Sequence, residues 1–105
     1  MWNRDDATVI MPKFEAIAKM MGYHVALGGS VMYNGESNKD LDVIVYPHQN
    51  TDPHRPTQNS LLDMFVYHKL IDNYNDVAKT KGMDRKVYCG CYHLDTLKRI
   101  DFIFV

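Results

Sequence analysis

Apolar residues recur along this chain at two different periods. From about Thr8 to Met21, Phe14, Ile17, Ala18 and Met21 fall at i, i+3, i+4 and i+7, the stripe of a helix that faces a core. Thr8 or Asp6 is placed to cap that helix. Pro12 is expected near its first turn, where no amide donor is needed, and Gly22 ends it. Tyr23 to Leu27 is a short β-branched and aromatic run, a strand that leads into the turn Gly28-Gly29-Ser30. Leu41 to Tyr46 (LDVIVY) is the strongest strand signal, closed by Pro47. Residues 48–59, HQNTDPHRPTQN, carry two prolines and almost nothing apolar, which predicts a loop long enough to be functional or mobile. Ser60 is expected to cap a helix from Leu61 to about Thr80, with Leu62, Phe65, Val66, Lys69, Tyr74, Val77 and Ala78 near one face. A polar link over Lys79 to Arg85 follows. Two strands are then predicted, Lys86 to Leu94 and Lys98 to Val105, joined by a turn near Asp95-Thr96. The order predicts a small α+β domain, a mixed sheet with helices on one face.

Composition narrows the functional classes. At 105 residues and 12.2 kDa, a single domain over 1–105 is expected. Such a chain buries about two-thirds of its unfolded surface, enough for a self-supporting core. Hydrophobic residues at 46% and charged residues at 24% exclude general disorder. Twelve basic against thirteen acidic side chains leave a net charge of −1, which argues against holding nucleic acid by bulk phosphate neutralisation. Cys89 and Cys91 are too few for a disulfide scaffold, and alternate residues of one strand sit too far apart, at about 6.6 Å, to bridge comfortably. Reduced thiols, the lack of any long apolar run and an N-terminus without a signal-like core together predict a soluble cytoplasmic protein with no membrane role.

The carboxylates change the picture. Strand side chains alternate, so Asp40 and Asp42 share one face while Leu41, Val43 and Val45 take the other. In the last strand Asp101 lies opposite Ile100 and Phe102. If both apolar sets face the helices, Asp40, Asp42 and Asp101 all project from the other side of the sheet. Two unit charges about 4 Å apart repel by about 4 kcal/mol at an effective dielectric of 20, so a purely structural role is costly. Hard oxygen ligands suit Mg²⁺ or Mn²⁺, ions that complete their shells with substrate phosphates. Gly28-Gly29-Ser30 supplies the complement, since consecutive amides and a serine hydroxyl at a glycine turn hold phosphate oxygens. Together these are parts for metal-assisted phosphoryl chemistry.

The stretch GGSVMYNGESNKDLDVIVYPH, residues 28–48, and KRIDFIFV, residues 98–105, resemble the nucleotidyltransferase superfamily typified by DNA polymerase β. That signature is a Gly-Ser turn, an Asp-x-Asp pair about ten residues on, and a third aspartate on a later strand. The spacing between Ser30 and Asp40, and the sequence Arg99-Ile100-Asp101, are similar to the palms of family X polymerases. The resemblance implies a minimal nucleotidyltransferase palm running from the first helix to the last strand. It implies that Asp40 and Asp42 hold two metal ions and that Asp101 holds the catalytic ion and helps activate a hydroxyl nucleophile. It also implies that Gly28, Gly29 and Ser30 bind the triphosphate of a nucleoside triphosphate. The family's triphosphate-gripping arginine has no counterpart in Val31, Met32, Tyr33 or Asn34, and Lys39 stands where a glycine usually precedes the first aspartate, a substitute phosphate contact. With the sequence ending at Val105, the thumb that selects base and sugar is expected to be absent.

The implied activity is Mg²⁺-dependent transfer of a nucleoside monophosphate to a hydroxyl on nucleic acid, protein or a small molecule. The alternatives are a non-catalytic nucleotide- or metal-binding regulator and one subunit of a split transferase. His24, His48, His54, His68 and His93 show no zinc-ligand spacing, and only His48 and His54 fall in a loop near the expected site. Cys89 and Cys91 read as alternate positions on a half-buried strand, and Tyr33, Tyr88 and Tyr92 as ordinary strand tyrosines. Ile44, Tyr46, Ile103 and Val105 would share the carboxylate face, an apolar surface expected to meet a second copy or another protein.

Overall fold

The computed structural model describes residues 2–28, 36–37, 41–48, 56–76, 87–93 and 95–105. Its elements are β1 (Trp2–Asn3), α1 (Arg4–Met20), β2 (Tyr23–Gly28), β3 (Glu36–Ser37), β4 (Leu41–Pro47), α2 (Gln58–Tyr67), β5 (Ile71–Asp76), β6 (Val87–Tyr92) and β7 (Asp95–Phe104). Five strands form one mixed sheet in the order β2-β4-β7-β6-β5. The central pair β4–β7 is parallel and its flanking pairs are antiparallel. The expected α+β architecture is therefore present.

Both helices lie on one face of this sheet. Phe14 of α1, Phe65 of α2 and Phe102 of β7 meet with ring centroids 4.9 to 5.5 Å apart, so each layer contributes one ring to the centre of the core. Around them, Leu41, Val43, Val45, Ile100 and Phe104 fill the helix-facing positions of the two parallel strands. Their burial on alternate positions is what the period-two pattern of LDVIVY demands. Phe14, Ile17 and Ala18 are buried as the helical stripe requires, and Met21 packs at the core's margin.

Several boundaries differ from the sequence expectation. Helix α1 starts at Arg4, not near Thr8, so Pro12 sits in its interior. Pro12 is solvent-exposed there, and its missing amide costs one bond on the helix's outer side. Trp2, which the sequence pattern did not mark, is 2% exposed. Its indole N–H donates to the Arg99 carbonyl at 2.7 Å. The anticipated helix from Leu61 to Thr80 divides into α2 and the edge strand β5. Thr57, not Ser60, caps α2 by accepting the Ser60 amide at 3.2 Å. At the other end Lys69 adopts φ 60°, and the Leu70 amide reaches back to the Phe65 carbonyl at 2.9 Å. This Schellman-type closure turns the chain, and Ile71 enters the sheet. Strand β7 begins at Asp95, so the turn expected at Asp95-Thr96 falls earlier, around His93. The polar link over Lys79 to Arg85 lies outside the described residues, as does most of the 48–59 loop.

Candidate active site

The parallel alignment of β4 and β7 sets the site. Asp42 is the register partner of Asp101, and their neighbours Leu41↔Ile100 and Val43↔Phe102 point the other way, into the core. In a parallel pair, partnered residues stand on the same face with strands about 4.8 Å apart. Asp42 is half-buried, whereas Asp101 is only 4% exposed, a buried carboxylate on a central strand.

On the other side of Asp42, Gly28 is its antiparallel partner. A Cβ on Gly28 would lie 3.8 Å from the Asp42 Cβ and 3.1 Å from Ile44 Cδ1, so the missing side chain opens the same face. One row thus crosses the sheet, Gly28–Asp42–Asp101, and continues to Cys89, the partner of Asp101 on β6. Cys89 is half-buried, as the alternation on β6 predicts, but its place beside Asp101 was not legible in the sequence. Only the register of the β6–β7 hairpin reveals it. Tyr88 and Tyr92 point to the core face instead; Tyr88 is buried with its hydroxyl donating to Asn59 Oδ1 at 2.9 Å.

Of the residues singled out from sequence, Gly28, Asp42 and Asp101 are brought together. Gly29, Ser30, Lys39 and Asp40 lie outside the described residues, as do Tyr33 and His54. In sequence, Gly29 directly follows Gly28 at the end of β2, and Asp40 directly precedes β4, two positions before Asp42. The donor set fits a divalent cation of the Mg²⁺ or Mn²⁺ type: two hard-oxygen carboxylates in register on one face, one of them withdrawn from water. Beyond the carboxylates the same face carries half-buried Ile44 and Ile103, with Tyr46 and Val105 more exposed.

No family model matches this sequence, and no curated protein does. Solved structures do. The polymerase core of TRAMP, an RNA surveillance complex, superposes with a TM-score of 0.70 at 14% identity, over 100% of this chain and 33% of that one. The chain therefore shares the α+β fold of the matched part of that polymerase core, a five-stranded mixed sheet with helices on one face. The chain spans about a third of the polymerase core's length. Among the described residues, no helix is long and apolar enough to cross a membrane.

Proposed function

We propose that this palm is a nucleotidyltransferase that moves a nucleoside monophosphate from a nucleoside triphosphate to a hydroxyl acceptor, using Mg²⁺ or Mn²⁺ as two ions. The observation that supports this reading best is the register of Asp42 with Asp101 on adjacent parallel strands, flanked by Gly28, in a fold of this kind. Asp40 and Asp42 would hold both ions and Asp101 the one beside the acceptor. Bound there, the ions supply alignment of the reacting oxygens and neutralisation of developing charge. Gly28 and Gly29 let the backbone approach the triphosphate, Ser30 offers a hydroxyl donor and Lys39 a positive charge. The acceptor oxygen forms a bond to the α-phosphorus while the α–β bridging P–O bond breaks, and pyrophosphate leaves with that electron pair. An Asp101 carboxylate oxygen takes the acceptor's proton as the new bond forms. The acceptor is a nucleic acid, a protein or a small molecule, and the net charge of −1 favours recognition by local contacts over bulk attraction.

The test is incubation with labelled nucleoside triphosphates, Mg²⁺ or Mn²⁺ and cell extract. Label transfer by wild type, reduced about 100-fold or more in an Asp42→Asn/Asp101→Asn double variant, is the expected result. Absence of transfer by wild type, or transfer undiminished in the double variant, overturns the reading. Calorimetry with ATP and Mg²⁺ then separates the remaining possibilities. Binding without turnover points to a non-catalytic regulator or a subunit of a split transferase.

A further inference from the structure

The chain's one tryptophan, Trp2, joins two parts of the fold. Through its backbone, β1 forms a separate two-stranded sheet with β3, in the antiparallel register Trp2↔Ser37 and Asn3↔Glu36. Through its buried side chain, β1 is anchored on β6 and β7. The indole N–H donates to the Arg99 carbonyl at 2.7 Å, and Tyr92 meets the ring edge-on with 5.8 Å between centroids. The Lys98 ammonium lies 5.2 Å from the ring centroid and donates to Asp6 Oδ2 of α1 at 3.0 Å. The pairing of β4 with β7 begins at Leu41↔Ile100, so Arg99 lies where β7 runs past the start of β4. Asp101 stands two residues further along the same strand.

Filling the core explains the ring, and burial of an indole explains its hydrogen bond. Neither explains why the backbone of the same residue also carries β3. A two-residue ladder has little stability of its own, so β3 is held by whatever seats β1. Trp2 seats it. Strand β3 lies in the connection between Gly28 and Leu41, the stretch that carries Gly29, Ser30, Lys39 and Asp40. Three residues separate Ser37 from Leu41, and four Cα steps reach at most about 14 Å, so fixing Ser37 limits where Lys39 and Asp40 can go. We propose that β1 is a strap that positions this connection relative to Asp42 and Asp101, and that Trp2 is a positioning residue for the nucleotide's phosphates. It acts through β3 rather than by touching the nucleotide. This role rests on the reading of that connection as the nucleotide site. By linkage, nucleotide binding in turn tightens the strap.

Amide hydrogen exchange of the full chain, followed over Glu36–Ser37 and at Val43 and Phe102 of the core strands, tests the strap without nucleotide. Trp2→Phe keeps an aromatic ring in the core but loses one hydrogen bond. Exchange over Glu36–Ser37 should rise about 2- to 10-fold, while Val43 and Phe102 keep the wild-type rate. Rates over Glu36–Ser37 that stay unchanged, or that rise only together with those of the core, overturn the strap. Calorimetry with ATP and Mg²⁺ then tests the positioning. Trp2→Ala should weaken ATP affinity about 5- to 100-fold, and Trp2→Phe should keep most of it. Saturating ATP and Mg²⁺ should slow exchange over Glu36–Ser37 in wild type. If Trp2→Ala loses protection at Val43 and Phe102, Trp2→Phe/Lys98→Met takes its place, because it removes both polar contacts of the indole and leaves the core filled. Wild-type ATP affinity in a chain whose β3 exchange has risen overturns the positioning role. Wild type that binds no ATP overturns the nucleotide reading and the positioning with it, whereas exchange over Glu36–Ser37 still decides the strap itself.

Discussion

Two glycines on separate strands of the sheet show how single positions divide between stability and chemistry. Gly90 faces the core side of β6, and a Cβ there would come within 2.8 Å of the Asn73 carbonyl oxygen, at the irregularity where β5 shifts register. Backbone cannot give way as a side-chain tip does, so Gly90→Ala should cost about 1–3 kcal/mol, measured by denaturant melting. A Cβ on Gly28 would meet only the flexible end of Ile44, at 3.1 Å. Gly28→Ala should therefore fold with a loss under about 1 kcal/mol while placing a methyl beside Asp42, and nucleotide affinity should fall more than stability does. The same contrast marks what was legible at this scale. Asp42 and Asp101 stand out because a charge between apolar alternates contradicts burial unless the strand has two unlike faces. Cys89 gives no such signal: a half-buried cysteine on a strand is ordinary, and only pairing puts it beside Asp101. Glu15, His24 and His48 are likewise separated by nine and then twenty-four positions, and the Glu15–His24 hydrogen bond and the His24–His48 ring contact depend on the α1–β2 turn and the length of β4.

Elements were read well where pattern and propensity agree, and poorly where capping chemistry overrides both. The segment from Leu61 to Thr80 looks continuous in helical period because Leu62, Phe65 and Val66 are followed by apolar residues at acceptable spacing. The break is made by Lys69 at φ 60°, a conformation for which glycine is the usual sequence marker, and β5 (IDNYND) carries little strand propensity. Its hold on the fold comes from buried Ile71 and from Tyr74, whose hydroxyl donates to Asp63 Oδ1 of α2 at 2.5 Å. Burial and the bond to the Asp63 carboxylate push the Tyr74 phenol up from 10.0 to about 12. A folded value above the unfolded one means this contribution is fully present below pH 10 and is lost as pH rises through about 12. Stability measured across that window should fall in wild type and fall less in Tyr74→Phe. At the other end of α2, Thr57 rather than Ser60 accepts the capping bond. Thr57→Ala should cost about 1 kcal/mol in a denaturant titration, and Ser60→Ala less, which is the reverse of what the sequence suggested.

Across the whole molecule, the sheet that makes the core also assembles like charges on its far face. Leu41, Val43, Val45, Ile100 and Phe102 bury one side of the β4–β7 pair completely, and that burial fixes the register; a one-residue slip would drive Asp42 or Asp101 among the phenylalanines. The core therefore pins two carboxylates side by side whatever their mutual repulsion, about 3 kcal/mol for unit charges about 5 Å apart at an effective dielectric of 20. A bound cation reverses the sign of that interaction. The proposed metal role then has a thermodynamic signature that requires no substrate. Adding Mg²⁺ or Mn²⁺ should raise the Tm of wild type, since an ion that binds only the folded chain stabilises it by mass action. Asp42→Asn removes one of the two charges. It should melt at or above the wild-type temperature without metal, and should lose most of the metal-dependent increment. Melting both proteins with chelator and then with increasing Mn²⁺ separates this from a simple packing defect, which would lower Tm under every condition. A wild-type Tm that ignores both ions, or an Asp42→Asn chain that keeps the full increment, would remove the carboxylate row from the proposed mechanism.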